Sequence, residues 1–355
     1  MQYFLGIDCG GTKTHALIAD QAGQAVGFGA GGPGNWESVG YDGLSRVLVD
    51  TTRQALEMAG LTIARIAGAG MGLAGYDWPS QRQAHLDAIR PLGLQAPLAI
   101  VNDATLGIVA GSEEGWGVSV DAGTGCNCRG WTRDHKREGR AVGGASYWSG
   151  EAAGGFDVVT RAMRAISFEW TCRGPATALT PAFLKKTGAK DLDDLMEGMY
   201  LGHYDLDPSL AMTVFQVAAA GDAQALEVMH WAGDQLGQMA CGVIRQLHLE
   251  KEAFDVVLIG SLLDGHPLLS ESLRVTIQAL APGARLVRLT LPPVVGGVLL
   301  GMETAGLDFL SRRDVLIRST EQLLNENNLH PPSAAAAAET GGFPNGSSAP
   351  PQQKA

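Results

Sequence analysis

Two short turns rich in glycine and threonine constrain the fold of this sequence more than any other feature. Each turn directly follows an apolar strand that ends in aspartate, Asp8 in one case and Asp121 in the other. The first turn spans Cys9 to Thr14, the second spans Ala122 to Gly125, and a return strand is predicted after each. A glycine-rich turn lets backbone N–H groups approach an anion, and a strand-end carboxylate suits hydrated Mg²⁺.

The pattern of the first turn excludes two familiar nucleotide-binding loops. The turn lacks the GxxxxGK[ST] pattern of a Walker A loop. It also leads into a strand, His15 to Asp20, whereas a dinucleotide-binding fingerprint opens a helix. The turn therefore predicts an anion site of a different architecture.

The order of strands and helices is similar in the two halves of the chain. Strands are predicted over 3–8, 15–20, 25–29, 66–73, 98–101, 116–121, 126–131, 254–259 and 285–289. Helices are predicted over 42–59, over 81–89, in a block from about 151 to 247, and from 294, where Gly296 and Gly297 would permit close helix packing. Strands alternating with helices indicate an α/β protein, with duplicated architecture and a boundary between Gly111 and Gly115.

Composition limits the class of protein and its partners. The chain has 355 residues, enough for about two domains, and its formal net charge of −11 argues against a broad basic surface for nucleic acid. Five cysteines, an odd number in a long chain, imply no disulfide framework. The first residues do not form a signal peptide, and the longest apolar stretch, 289–302, is too short to span a bilayer. We expect a soluble cytoplasmic protein that binds neither nucleic acid nor membrane.

Three motifs, taken in order, resemble those of a known superfamily. GIDCGGTKT at 6–14, DAGTG at 121–125 and the strand ending in Gly260-Ser261 are similar to the phosphate-one, phosphate-two and adenosine motifs of actin-like ATPases. Further segments resemble the N-acetylglucosamine kinases of the BadF/BadG/BcrA/BcrD ATPase family, namely Gly34-Asn35-Trp36, Asn102-Asp103-Ala104, GTGCNCRGW at 123–131 and Gly143-Gly144. The resemblance covers about residues 3 to 305.

The resemblance implies an architecture and a reaction. It implies an α/β fold of two RNase H-like (actin-like ATPase) domains, with ATP and a sugar bound in the cleft between them. We expect an N-terminal domain at 1–115, a C-terminal domain with a helical insertion at 116–330, and a disordered tail at 331–355. The implied activity is an ATP-dependent kinase that phosphorylates a hydroxyl of an amino sugar, N-acetylglucosamine or glucosamine. ATP, Mg²⁺ and the sugar are the expected partners, and a homodimer is left open.

The same resemblance assigns roles to individual residues. Asp103 takes the place of the catalytic base, Asp8 would hold Mg²⁺ through water, and Asp121 is a second candidate for the metal side. The residues implied to contact ATP are Gly10, Gly11, Thr12, Lys13, Thr14, Gly123, Thr124, Gly125, Gly260 and Ser261. Those implied to contact the sugar are Asn35, Gly75, Asn102, Asp103, Asn127, Gly144 and Glu151.

The sequence departs from the family pattern at the sugar side. The family commonly shows Gly-Asp-Glu-Gly-Ser where this chain reads Gly-Glu-Ala-Ala-Gly at 150–154, so Glu151 stands in for the aspartate and the next acid is missing. Ala74 also replaces a frequent serine. The identity of the acceptor sugar therefore stays open.

Two other functions remain to be weighed against a kinase. An ATPase activator of the same family would need cysteines presented at a dimer interface for an iron–sulfur cluster, and Cys172 and Cys241 lie in predicted helical segments. A non-catalytic sugar sensor or filament-forming protein is disfavoured because Asp8, Thr12 and Asp103 are all retained. Cys126 and Cys128 are only two neighbouring thiols, so zinc binding is disfavoured as well.

Overall fold

Two five-stranded sheets form the framework of the protein. The computed structural model describes residues 1–141 and 152–329, which contain ten strands and eleven α-helices. The strands of the first sheet are β1 (Tyr3–Cys9), β2 (Thr14–Asp20), β3 (Ala25–Gly31), β4 (Ile66–Leu73) and β5 (Leu98–Val101). Their order is β3-β2-β1-β4-β5. β1, β2 and β3 pair antiparallel, whereas β1, β4 and β5 run parallel.

The second sheet repeats this topology. Its strands are β6 (Gly117–Ala122), β7 (Cys126–Trp131), β8 (Glu138–Ala141), β9 (Phe254–Ile259) and β10 (Ala284–Arg288). Their order is β10-β9-β6-β7-β8, with β6, β7 and β8 antiparallel and β6, β9 and β10 parallel. Two mixed sheets of the same topology, each covered by helices, confirm the predicted α/β fold of the actin-like ATPase type.

The helices cover the sheets and supply the insertion. Those of the first half are α1 (Trp36–Ala59), α2 (Arg82–Ile89) and α3 (Asp103–Gly111). Between β8 and β9 lie α4 (Gly155–Trp170), α5 (Leu179–Thr187), α6 (Leu192–Leu201), α7 (Ala211–Ala219) and α8 (Ala223–Leu247). The remaining helices are α9 (Pro267–Leu280), α10 (Val294–Thr304) and α11 (Arg313–Glu326). The helical block predicted from about 151 to 247 is therefore present as α4 to α8 within the described residues.

Helices α3 and α10 cross between the two sheets. α3 follows the first sheet but packs on the second, since a Cβ at Gly107 would meet the side chain of Ile259 on β9. α10 follows the second sheet but packs on the first, and a Cβ at Gly297 would lie 2.8 Å from the backbone oxygen of Gly70 on β4. The close packing predicted at Gly296 and Gly297 is confirmed, because both glycines face backbone atoms.

Each sheet has its own apolar core. In the first half, Leu44 and Leu48 of α1 pack with Leu5 and Ile7 of β1. In the second half, the inner face of the sheet packs against helices of the insertion, including Leu236 of α8. No helix within the described ranges is both long enough and apolar enough to cross a bilayer.

The structure changes one predicted boundary and leaves others untested. α1 begins at Trp36 rather than at residue 42, because Asn35 caps the helix there. Gly40 (φ 68°) is not helical and separates this first turn from the regular helix that was predicted. The predicted boundary between domains, near Gly111 to Gly115, lies where the chain passes from α3 to β6. The tail predicted at 331–355, and the segment around Gly144 and Glu151, lie outside the described residues.

Candidate active site

The first glycine turn joins β1 to β2 and is closed by backbone hydrogen bonds. The Gly10 N–H donates to the Lys13 carbonyl oxygen over 2.9 Å, and the Gly10 carbonyl accepts from the Gly34 N–H over 3.0 Å. Thr14 is buried, and its hydroxyl donates to the Gly32 carbonyl over 2.9 Å. Thr14 therefore anchors the base of the turn, while Gly11, Thr12 and Lys13 are exposed at its tip.

The second glycine turn joins β6 to β7 and rests on the start of α4. The Gly123 N–H donates to the Gly125 carbonyl over 2.9 Å, and the Gly155 N–H donates to the Gly123 carbonyl over 2.8 Å. Thr124 accepts from the Phe156 N–H through its carbonyl over 3.2 Å, while its side chain is exposed. Both turns thus leave a threonine exposed on a well-anchored loop.

Neither packing nor backbone conformation requires glycine at three of these turn positions. A Cβ built at Gly11, Gly123 or Gly125 would have no protein atom within 4 Å, and none of the three has a positive φ. The space in front of these glycines is open, as a site for closely approaching phosphate groups requires.

Three aspartates interact electrostatically: Asp8 near the end of β1, Asp121 near the end of β6 and Asp103 at the start of α3. Burial raises the pKa of Asp8 to about 7, Lys13 opposes the shift, and the charge of Asp121 adds to it. Burial raises the pKa of Asp103 to about 8, and the charges of Asp121 and Asp8 raise it further. Burial raises the pKa of Asp121 to about 6, and Arg288 opposes this. Asp8 of β1, Asp121 of β6 and Asp103 are therefore close enough for their charges to interact.

Asp103 is the first residue of α3 and follows the N-cap residue Asn102. The Asn102 side chain accepts from the Ala104 N–H over 3.0 Å, and one oxygen of Asp103 accepts from the same N–H over 3.0 Å. Asn102 is buried, while Asp103 is partly exposed. The N-cap fixes where the helix starts and thus the position of the Asp103 carboxylate beside the turns.

Gly260 and Ser261 follow β9, and an arginine holds their turn. Gly260 has φ 92°, and a Cβ there would lie 2.2 Å from the Ala122 carbonyl oxygen, so only glycine fits beside the end of β6. The guanidinium of Arg288 donates to the Gly260 carbonyl over 2.9 Å and pairs with Asp264 over 2.6 Å. Sequence reasoning missed Arg288, since an arginine in a strand carries no motif.

Two of the predicted sugar contacts, Asn35 and Gly75, are brought together. Gly75 has φ 76°, and a Cβ there would lie 2.6 Å from Oδ1 of Asn35. The indole N–H of Trp36 donates to the Gly75 carbonyl over 2.7 Å, and the Ala74 N–H donates to the Cys9 carbonyl over 2.8 Å. The segment after β4 is therefore tied to the first turn.

The altered segment at 150–154 is described only from residue 152 onwards. Gly144 and Glu151 lie outside the described residues, so their sugar contacts stay predictions. Ala153 is buried and has φ 95°, a backbone region that favours glycine, and alanine stands here where the family commonly has glycine.

A buried network beside Asn102 was not predicted from the sequence. Arg129 of β7 forms an ion pair with Asp77, which lies after β4. Asn127, a predicted sugar contact on the same strand, donates its amide N–H to Oδ1 of Asn102 over 3.0 Å. Arg129 was visible only as part of the GTGCNCRGW segment, and nothing in the sequence distinguished Asp77 from an ordinary loop acid.

The described cysteines and acids form no cluster that could hold a metal ion with three or more protein ligands. Within residues 1–141 and 152–329, no group of three or more His, Cys, Asp or Glu side chains is placed to hold a metal ion. Cys172 is exposed after α4, while Cys241 is buried in α8 with its thiol 3.5 Å from the Thr276 carbonyl.

Comparison with known proteins identifies the family of this chain. The sequence matches the profile of the BadF/BadG/BcrA/BcrD ATPase family over residues 5–301. This chain belongs to the BadF/BadG/BcrA/BcrD ATPase family. Membership of an ATPase family supports the use of ATP by this chain.

Three relatives are similar over most of their length. The chain is 25% identical over 304 residues to an N-acetylmuramic acid/N-acetylglucosamine kinase of Clostridium acetobutylicum, covering 84% of this chain and 98% of the relative. It is 26% identical over 316 residues to an N-acetyl-D-glucosamine kinase of Dictyostelium discoideum, covering 85% and 98%. The crystal structure of a protein assigned as an N-acetylglucosamine kinase from Chromobacterium violaceum matches with a TM-score of 0.62 and 25% identity, covering 84% and 99%.

Proposed function

We propose that this protein is an ATP-dependent carbohydrate kinase that transfers the γ-phosphoryl group of ATP to a hydroxyl of an amino sugar. The observation that carries the proposal is the coupling of Asp8, Asp103 and Asp121 beside two open glycine turns from different sheets. The names of the relatives from Clostridium and Dictyostelium support N-acetylglucosamine, or the related glucosamine, as the acceptor.

Asp103 acts as the general base in this proposal. Its pKa, raised to about 8 by burial and by Asp121 and Asp8, lies closer to neutral pH than that of an ordinary aspartate, as suits a group that takes up a proton. Phosphoryl transfer depends mainly on positioning and charge neutralisation, so one carboxylate beside the acceptor hydroxyl suffices. The hydroxyl proton passes to Asp103 as the sugar oxygen attacks the γ-phosphorus, the bond from that phosphorus to the β–γ bridging oxygen breaks, and ADP leaves with the bond's electron pair.

The two turns and the end of β9 would hold the nucleotide. Thr12 and Lys13 offer exposed donors at the first turn, and Thr14 keeps that turn in place. In this proposal the residues along the phosphates are Gly10, Gly11, Thr12, Lys13 and Thr14, with Gly123, Thr124 and Gly125 opposite them. Gly260 and Ser261 would border the adenosine, supported by the close approach of Gly260 to Ala122.

The aspartates suit a hydrated cation. Asp8 is a buried carboxylate whose pKa is raised by burial and by Asp121, so a positive ion between them would relieve both effects. Asp8 would hold Mg²⁺ through water, with Asp121 as a second candidate. The ion would neutralise charge on the transferred phosphoryl group.

The sugar would lie between the segment after β4 and the start of β7. Asn35 and Gly75 are adjacent, and Asn102 is hydrogen-bonded to Asn127 across the two sheets. These two contacts support the proposal that Asn35, Gly75, Asn102 and Asn127 line the sugar site. Domain closure around the sugar would exclude water and limit ATP hydrolysis.

A panel of sugars tests the proposal. Purified protein is incubated with ATP, Mg²⁺ and N-acetylglucosamine, glucosamine, N-acetylmuramic acid or glucose, while ADP and sugar phosphate are measured together. We expect ADP release to require an amino sugar and to match sugar phosphate one to one. ADP formation at the same rate without sugar, or no ADP with any sugar, would contradict the proposal.

A further inference from the structure

A buried ion pair joins the two halves of the molecule beside the proposed sugar site. Arg129 of β7 is 1% exposed, and its guanidinium bonds to the carboxylate of Asp77, in the segment after β4. Arg140 of β8 also donates to the Asp77 carbonyl over 3.0 Å. Burying such a pair carries a desolvation cost that its attraction rarely exceeds, so stability alone is a weak explanation for it.

Asp77 of this pair acts together with the Ala104 N–H to orient two amides. Oδ1 of Asp77 also accepts from Nδ2 of Asn102 over 3.1 Å. A carboxylate only accepts and a backbone N–H only donates, so Nδ2 of Asn102 faces Asp77 while Oδ1 faces the Ala104 N–H. That oxygen also accepts from Nδ2 of Asn127 over 3.0 Å, which fixes the second amide in turn.

The chain of hydrogen bonds from Asp77 through Asn102 to Asn127 ends in an acceptor for which the described part of the chain supplies no donor. With its Nδ2 committed to Asn102, Asn127 retains Oδ1, which is buried and has no hydrogen-bond partner among the described residues. A buried acceptor without a donor is unfavourable until a ligand supplies one. A sugar hydroxyl or amide N–H is such a donor.

We propose that Asp77 and Arg129 are positioning residues that set the hydrogen-bond polarity of the acceptor-sugar site. Through Asn102 they hold Asn127 so that its carbonyl oxygen accepts from the sugar, and they hold the N-cap that places Asp103. This inference rests on the proposed kinase function. The site consequently favours a sugar with a hydroxyl or N–H donor facing Oδ1 of Asn127. It disfavours an analogue that carries fluorine at the same position.

The test removes the pair without leaving a buried charge. The double variant Asp77→Leu/Arg129→Met replaces both partners by apolar side chains, a change that often preserves folding. We expect KM for the sugar to rise about tenfold or more, while KM for ATP stays within about threefold. The control Asp255→Asn/Arg285→Met removes a 2.9 Å ion pair at β9 and β10. This control should leave both KM values unchanged.

Each outcome decides the proposal. A folded double variant with unchanged sugar KM overturns it, and so does a parallel rise in both KM values, which indicates a purely structural role. If the double variant does not fold, Asp77→Asn keeps the side-chain volume but removes the charge that binds Arg129 and accepts from Asn102, and the same KM criteria apply. Wild-type protein without sugar-dependent turnover would refute the kinase function itself, and the inference with it.

Discussion

Three acidic side chains at the centre of the molecule are held in unfavourable surroundings. Burial raises the pKa of Asp8, Asp103 and Asp121, and the charge of Asp121 raises that of the other two further. The only cations that oppose these shifts are Lys13 for Asp8 and Arg288 for Asp121, among the described residues. Such a cluster is destabilising in the free protein and suited to a bound cation and a proton-transfer step.

This destabilisation predicts that the free energy of unfolding falls as the pH rises. The variant Asp103→Asn should remove the part of this fall that Asp103 causes. An unfolded aspartate ionises near 3.8, whereas the folded pKa of Asp103 is about 8. The folded state therefore binds more protons between these values, so stability is highest below the lower value and is lost as the pH rises through the higher one. We expect the Tm of Asp103→Asn to exceed that of wild type at about pH 8 and to approach it at about pH 4.

The measurement is thermal unfolding without ligands across this pH range. The exposed acid Asp308 provides the control, because Asp308→Asn changes the same chemical group away from the cluster. If the Tm difference between Asp103→Asn and wild type does not grow with pH, burial of the Asp103 carboxylate does not destabilise the folded protein.

Sequence patterns predicted some site residues but could not predict their partners. Asp8 and Asp121 were recognisable because each ends an apolar strand before a glycine turn. Arg129 and Asp77 are separated by 52 positions and meet only through the packing of the two sheets. No local periodicity encodes such a contact, so the network became visible only in three dimensions.

Strands and helices were predictable where a regular period or a turn marks them. The apolar positions Leu44, Leu48 and Ala55 indicate one buried helical face, and they are buried in α1. The first turn of that helix was missed, because Gly40 interrupts the period and Asn35 acts as a cap that only the structure reveals. Close packing of helix α10 was predicted from Gly296 and Gly297, but its packing on the first sheet could not be derived from its own sequence.

The substitution Gly297→Ala tests whether α10 packs closely on β1 and β4 of the first sheet. A Cβ there would lie 2.9 Å from the backbone of both Gly6 and Ile7, and backbone atoms cannot move aside easily. We expect a loss of about 1–3 kcal/mol in the free energy of unfolding, measured by chemical denaturation.

Gly242→Ala is the matched control for this substitution. Gly242 lies inside α8 with nothing within 4 Å of a built Cβ. Alanine there should be neutral or stabilise by about 0.5–1 kcal/mol, because glycine is a poor helix former. Equal effects of the two substitutions would contradict the close packing of α10 against β1 and β4.

At the scale of the whole molecule, two similar sheets are connected by crossing helices and by a buried ion pair. Helices α3 and α10 cross between the sheets, and the pair formed by Asp77 and Arg129 links them beside the proposed sugar site. One of the crossing helices, α3, also begins with Asp103. A sugar bound at this junction would contact both halves, which couples its binding to closure of the cleft.

The most direct test of the proposed mechanism is the turnover of Asp103→Asn, compared with its affinity for ATP. The substitution keeps the shape of the side chain but removes its capacity to take a proton at neutral pH. We expect sugar-dependent ADP release to fall by about 10²–10⁴-fold, while ATP affinity measured by calorimetry stays within about threefold of wild type. Near-normal turnover in this variant would contradict the role of Asp103 as the base.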